Sequence, residues 1–308
     1  MDPVSTLADD VATDGPGPDD FDETVDVIVA GSGGGIAGAY TAAREGLSVA
    51  LLEATDKFGG TTAYSGGGGM WFPCNAVLRR AGSDDTLERA LTYFHAVVGD
   101  RTPRELQDAY VLGGTALIDY LESDESFEFT VLPWPDYFGS APEARLDGLR
   151  HIVAAPLPGD ELGFDPGLVR GPLDNDRLGA PAPNLLVGGR ALIGRFLAAM
   201  SRFGTVALHR DTELVDLIVA DGRVVGAVAM RDGDTVRIRA RRGVLLAAGG
   251  FEHSAEMRTR YGVPGRTEDS MGAPGNTGSA HRAAIRAGAA TDLMEQAWWS
   301  PGLIHPDG

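Results

Sequence analysis

Short apolar runs separated by glycine turns open the ordered part of the chain. Val25–Ala30 reads V-D-V-I-V-A, β-branched and apolar on both faces, which predicts a buried parallel strand. Gly31–Gly35 follow as a turn, and I-A-G-A-Y-T-A-A-R-E predicts a helix ending at Gly46. Ser48–Leu52 is a second buried strand, ending at Glu53. Asp84 to Val98 places Leu87, Leu91, Phe94 and Val98 on one helical face. Thr102-Pro103-Arg104-Glu105 has the spacing of a capping box with proline at the first helical position, opening a helix that runs to about Glu122. From there to Gly188 periodicity is lost, and nine of the 18 prolines fall between Pro133 and Pro183. A stretch of this length without regular structure reads as a covering loop or a linker. Order returns with a helix over Ala191–Phe203. Alternating strands follow, with hairpin turns at Asp221-Gly222 and Asp232-Gly233, and the run closes on the buried segment G-V-L-L-A-A-G-G, Gly243–Gly250. The class is α/β.

The first strand, turn, helix and second strand form a β-α-β unit. A glycine turn between a strand and a helix brings backbone N–H groups and a helix N-terminus onto a pyrophosphate. Glu53 stands 22 residues after Gly31, at the end of the second strand, where an acid accepts from ribose hydroxyls. The glycine frame is imperfect. Counted from Gly31 the third slot is Ile36; counted from Gly33 the pattern Gly33-x-Gly35-x-x-Gly38 is complete but starts two residues late. Together these elements predict a Rossmann-like dinucleotide fold with a parallel central sheet, a β-meander, and an irregular helical and loop insertion over residues 80–188.

A second cluster, Gly59-Gly60 and Ser65-Gly66-Gly67-Gly68-Gly69, follows the acid directly. An NAD fold has no need of it. An extended flavin-adenine dinucleotide does, because its pyrophosphate and ring lie close to main chain that carries no Cβ. Thr61, Thr62 and Ser65 add hydroxyls, so the cofactor expected is FAD.

Charge narrows the partners. The net charge of −18 argues against nucleic acid and against a basic membrane-surface patch. Residues 1–24 hold eight acids and no base, which predicts a disordered acidic tail before a cofactor domain at 25–298. Cys74 is the single cysteine, and no apolar run approaches the roughly 20 residues of a bilayer span. The expectation is a soluble cytoplasmic protein. The six histidines have no metal-ligand spacing, so no metal is expected.

The segments V-D-V-I-V-A-G-S-G-G-G, D-K-F-G-G-T-T-A-Y-S-G-G-G, L-L-A-A-G-G-F-E and G-A-P-G-N-T-G resemble the fumarate reductase/succinate dehydrogenase-type flavoproteins. F-G-G-T-T-A-Y-S-G-G-G-G-M-W-F-P, W-P-D-Y-F and D-L-M-E-Q-A-W-W-S-P resemble their 3-ketosteroid Δ1-dehydrogenase branch. The resemblance implies that Gly31, Ser32, Gly33, Gly34 and Gly35 hold the pyrophosphate and Glu53 the ribose. It puts Gly60, Thr61, Thr62, Ser65, Gly66 and Gly67 on the flavin side. Val215 would meet adenine through its backbone, and Ala248, Gly249 and Gly250 would close over the adenosine. Asn276, Thr277 and Gly278 match the loop that leads into a helix; Ser279 stands where many members have Asp. The implied reaction is 1,2-dehydrogenation of a 3-ketosteroid: a tyrosine takes the C2 proton and hydride leaves C1 for flavin N5. Tyr137 matches one active-site tyrosine, and Trp298 and Trp299 are candidates for a pocket wall. The resemblance leaves the electron acceptor open. It further implies that residues 299–308 begin a catalytic domain this chain lacks, so that the chain binds FAD weakly or not at all and turns over steroid poorly. Two alternatives stand beside this reading: a reductase of a small dicarboxylate or enone, and a non-catalytic FAD-binding module.

Overall fold

The computed structural model describes residues 20–299. Strand β1 (Glu23–Ala30) leads through the glycine turn into α1 (Gly35–Arg44) and then β2 (Val49–Leu52). The strand starts inside the segment expected to be a disordered tail. Asp22 donates its N–H to the Arg237 carbonyl at 2.9 Å and its carboxylate accepts from the Arg237 N–H at 2.8 Å, which ties the start of β1 to β11. The remainder of the acidic tail and residues 300–308 lie outside the described residues.

Short helix α2 (Gly60–Tyr64) and strand β3 (Met70–Trp71) carry the second glycine cluster. Then come α3 (Ala76–Arg80), α4 (Leu87–Val98) and α5 (Arg104–Glu122). Helix α4 buries Ala90 and Tyr93, whereas Leu87, on the face expected to be inside, is exposed. The Thr102 capping box does not form. Pro103 takes the N-cap position of α5, which leaves Thr102 one residue too far out for its hydroxyl to cap.

The proline-rich stretch is built of strands too short to read as periodic: β4 (Phe129–Val131), β5 (His151–Ala154) and β6 (Leu157–Pro158). Helix α6 (Leu173–Arg177), strand β7 (Leu185–Leu186) and helix α7 (Gly188–Ser201) complete it. Strands β3, β5 and β4 form a three-stranded sheet against α7, and β6 pairs with β7.

Strands β8 (Val206–His209), β9 (Thr212–Ala220), β10 (Arg223–Arg231) and β11 (Asp234–Leu246) follow, then α8 (Ala255–Tyr261) and α9 (Ser279–Arg286). Both predicted hairpin turns form, with positive φ at Asp221, Gly222, Asp232 and Gly233 as a type I′ turn requires. The main sheet runs β8-β2-β1-β11-β10-β9. Its first four strands are parallel, and the meander β9-β10-β11 is antiparallel. Strand β11 serves both halves: residues 234–239 pair with β10 and residues 238–246 with β1. Past Arg239 it has lost its β10 neighbour, so the segment expected to be buried is partly open, and Leu245 is 40% exposed.

The core lies between α1, α5, α7 and the sheet. The Tyr40, Phe127 and Phe196 rings meet edge to face there, with centroids 4.8 to 5.6 Å apart. Tyr40 donates to Asp124 at 3.0 Å, and burial beside that carboxylate pushes its phenol up to about 12. Among the described residues no helix is long and apolar enough to cross a membrane.

Candidate functional site

The glycine turn is built for two different purposes. Gly31 has φ +97°, and a Cβ there would overlap the Ala247 carbonyl, so a side chain is excluded on both counts. A Cβ on Gly35 would sit 2.7 Å from Val29 Cγ1, so Gly35 lets α1 seat on the sheet. That is the duty of the third glycine in the dinucleotide pattern. With Gly35 performing it, Ile36 can occupy the core at 2% exposure. Gly34 is different: a Cβ on it would meet nothing within 4 Å. Helix α1 begins there with no side-chain cap and no acid in its first turn. Its orphan N–H groups and positive dipole end therefore remain available to an anion.

Ser32 joins the two bare segments. Its buried hydroxyl donates to Glu53 Oε2 at 2.5 Å and accepts from the Gly59 N–H at 2.7 Å. Glu53 Oε1 accepts from the N–H and hydroxyl of Thr55 at 3.0 and 2.7 Å. The buried carboxylate is thus fixed on the wall between the two glycine clusters. A carboxylate offers about four lone-pair directions, which leaves capacity for a sugar hydroxyl. On the far side, Asn276 donates to Thr61 Oγ1 at 3.0 Å and to Glu252 at 2.6 Å, and Ala273 N–H also reaches Thr61 at 3.0 Å. This ties the 273–276 loop to the start of α2.

Of the residues expected from sequence, Gly31, Ser32, Gly33, Gly34, Glu53, Gly60, Thr61, Thr62, Ala248, Gly249 and Asn276 line one groove. The others lie apart from it. Gly35 is under α1, as above. Ser65 and Gly67 line the neighbouring cleft, and Gly66 has open space where a Cβ would stand. Val215 is one residue beyond the lining, where Glu213 and Leu214 stand, and its carbonyl accepts from Arg286 at 2.5 Å. A Cβ on Gly250 would meet the Glu252 carboxylate. Thr277 donates to Glu213 at 3.0 Å, and Gly278, with φ +80°, is the N-cap of α9. Sequence reasoning missed Thr212, Ala247, Gly275 and Ser279, which also line the groove. Ser279 carried a signal, since it follows the loop glycine.

Gly33, Gly34 and Thr62 also border a second, larger space, a cleft of about 1170 Å³. Its wall is aromatic. Trp71 stacks on Phe94 at 5.5 Å and on Tyr110 at 6.5 Å, and Phe94 on Tyr110 at 5.3 Å. Burial raises the phenol pKa of Tyr93 and Tyr110, and lowers that of the buried His151 imidazole. Tyr137 stands at the lip, 76% exposed, with Trp134 6.4 Å away. Trp298 lines the cleft but is 99% exposed; Trp299 is exposed and does not line it. Two further residues were missed. Cβ atoms on Gly188 and Gly189 would overlap the carbonyls of Gly66 and Thr62. They begin α7 three residues before the expected start, because the helix end must seat against the glycine loop.

The residues present fit FAD. A bare, uncapped helix start suits a pyrophosphate and a fixed carboxylate suits a ribose. Open space beside Gly34, Gly66 and Gly67 suits a flat ring against main chain. A solved structure of 3-ketosteroid Δ1-dehydrogenase from Sterolibacterium denitrificans, in complex with 1,4-androstadiene-3,17-dione, superposes with a TM-score of 0.82. It is 29% identical and is matched over 93% of this chain and 58% of that one. The 3-oxosteroid 1-dehydrogenase of Rhodococcus opacus is 40% identical over 292 residues, 94% of this chain and 56% of that protein. The 4-oxocyclohexanecarboxylate 2-dehydrogenase of Sinomonas cyclohexanicum is 35% identical over 313 residues, 92% of this chain and 53% of that protein. The chain spans about half the length of the curated relatives it matches. Residues 26–308 match the FAD binding domain family. With its groove built as that cofactor requires, the chain belongs to this family and FAD is its cofactor.

Proposed function

We propose that this chain is the cofactor-holding part of a flavin-dependent 3-oxosteroid 1-dehydrogenase. The observation that carries this reading is the large aromatic cleft opening onto the cofactor groove at Gly33, Gly34 and Thr62. FAD, when bound, supplies the two-electron acceptor. The main chain at Gly31–Gly35 receives the pyrophosphate, Glu53 the ribose, and Gly60–Thr62 with Ser65–Gly67 flank the flavin. The walls of Trp71, Phe94 and Tyr110 exclude water and orient a flat apolar ring system. Tyr137 takes the proton next to the substrate's carbonyl, a step that general-base catalysis accelerates by roughly 10²–10⁴. In this reading residues 25–298 are the FAD-binding domain, and its 80–188 insertion together with Met70–Phe72 supplies the substrate wall. The single buried cysteine fits a reducing compartment, the cytoplasm.

A smaller cyclic ketone remains the second reading, given the likeness to a 4-oxocyclohexanecarboxylate 2-dehydrogenase. The test is anaerobic flavin bleaching of the FAD-loaded protein by androst-4-ene-3,17-dione, 4-oxocyclohexanecarboxylate and succinate. Since the chain spans about half the length of its relatives, bleaching is expected to be slow, with the steroid effective at the lowest concentration. Bleaching by succinate alone would overturn the proposal.

A further inference from the structure

Tyr137 sits on a loop without helix or strand, yet both of its neighbours are pinned. Asp136 has a fully buried side chain that accepts three hydrogen bonds, and its backbone N–H is tied as well. Trp71 Nε1 donates to Oδ1 at 2.8 Å; the Arg145 N–H and Arg150 Nη1 donate to Oδ2 at 2.8 and 2.7 Å; and Asp136 N–H donates to the Arg145 carbonyl at 2.8 Å. On the other side, Phe138 N–H donates to Tyr93 Oη at 3.3 Å. Arg150 links the two anchors. It is 1% exposed, forks onto the buried Asp85 through Nε and Nη2 at 2.7 and 3.1 Å, and lies 5.2 Å from the centre of the Tyr93 ring. Arg145 supplies the second positive charge: it lies 3.9 Å from Asp85 and is bonded outward to the exposed Asp84 at 2.7 Å and to Asp147, so two cations serve the two buried carboxylates.

Such a cluster is a poor way to gain stability. Removing these ions from water is costly, and well-packed apolar replacements of buried ion pairs are often neutral or stabilising. What the cluster supplies is direction: a bidentate fork and a carboxylate with its acceptors assigned leave one geometry for the Trp71 indole and for the backbone on each side of Tyr137.

We propose that Asp136 and Arg150 are positioning residues of the substrate cleft, through which Asp85 sets the Tyr137 loop against the Trp71 wall. The proposal rests on the reading that Tyr137 acts on substrate, and its test separates the two. Hydrogen exchange is followed over residues 132–139 in the FAD-loaded protein, with α1 and β1 as the measure of global stability. Arg150→Met and Asp136→Asn are expected to speed exchange at Phe138 at least tenfold while α1 is unchanged; Tyr137→Phe is expected to leave it as it was. In the steroid assay Asp136→Asn lowers kcat about tenfold in the native background. It costs little more once Tyr137→Phe is present, because a removed base no longer needs aiming. Unchanged exchange at 132–139 in a folded variant overturns the proposal, as does full additivity of the two substitutions. Should Arg150→Met fail to fold, Asp136→Asn, which keeps the side chain's size and turns one acceptor oxygen into a donor, is read by the same criteria. Faster loop exchange together with a fully active Tyr137→Phe leaves the loop anchor standing and removes Tyr137 from the chemistry.

Discussion

The cofactor groove and the aromatic cleft share Gly33, Gly34 and Thr62, yet they are built by opposite means. The groove is made of main chain, small residues and one fixed carboxylate, supplied by the ends of parallel strands. The cleft is made of large side chains from α4, α5, β3 and the 132–138 loop, held in place by buried ions. In the groove a side chain is what must be absent. In the cleft side chains are the surface, and their orientation depends on groups up to 65 residues away in sequence, as in the Arg150–Asp85 fork. A binding site for a constant cofactor tolerates little change, whereas a site made of side chains can be retuned for a new substrate one residue at a time.

That contrast can be broken most sharply at Gly31. Gly31→Ala forces a Cβ into the Ala247 carbonyl at a φ that L residues rarely adopt. We expect FAD retention after gel filtration to fall more than about 100-fold, from strain of at least 1–3 kcal/mol added to the steric overlap. A yellow, wild-type-like protein would refute the account of the turn. Tyr137→Phe should do the reverse. With the residue 76% exposed, the melting temperature should move by less than the equivalent of about 0.5 kcal/mol. Steroid turnover should fall by about 10² or more.

Alkali should act on the core beside the two regions, at Tyr40. Tyr40 is held neutral in the fold, with its phenol raised from 10.0 to about 12, chiefly by burial and then by Asp124. That contribution is complete below pH 10 and is lost as pH rises through about 12. It is on the order of 2 kcal/mol. Urea midpoints should therefore be flat to pH 10 and then fall, less steeply in Tyr40→Phe; an equal slope in both proteins would exclude Tyr40 as the source. Glu53→Gln preserves shape and removes charge, and should weaken FAD binding about tenfold by equilibrium titration, in line with a charged hydrogen bond of about 1.5 kcal/mol. Smallest of all, Trp298→Ala should leave stability within about 0.5 kcal/mol. A larger loss would mean that this exposed indole packs in a way its surroundings do not explain.

The strands flanking the first glycine turn, both type I′ hairpins and the acid at the end of β2 were legible because each is set by local chemistry. Apolar β-branched runs bury, Asp-Gly adopts positive φ, and a glycine turn between strand and helix has few other uses. The failures have local causes too. Strands of two to four residues in the 129–186 stretch are too short to carry a period. The Thr102 box was defeated by the proline beside it. The buried face of α4 was set by Trp71 and the Arg150 cluster, which touch Tyr93 from outside the helix.

Composition and spacing alone were enough to specify an α/β dinucleotide fold, an extended cofactor and an acid in the wall of its groove, since main-chain clearance and strand burial are written in nearest neighbours. They could not specify that Ser32 would bridge the two glycine clusters, that Gly188 and Gly189 would seat against the second, or that Asp85, Asp136 and Arg150 would meet beneath Tyr137. Those contacts join residues far apart along the chain, and each exists only because the sheet and the insertion fold onto one another.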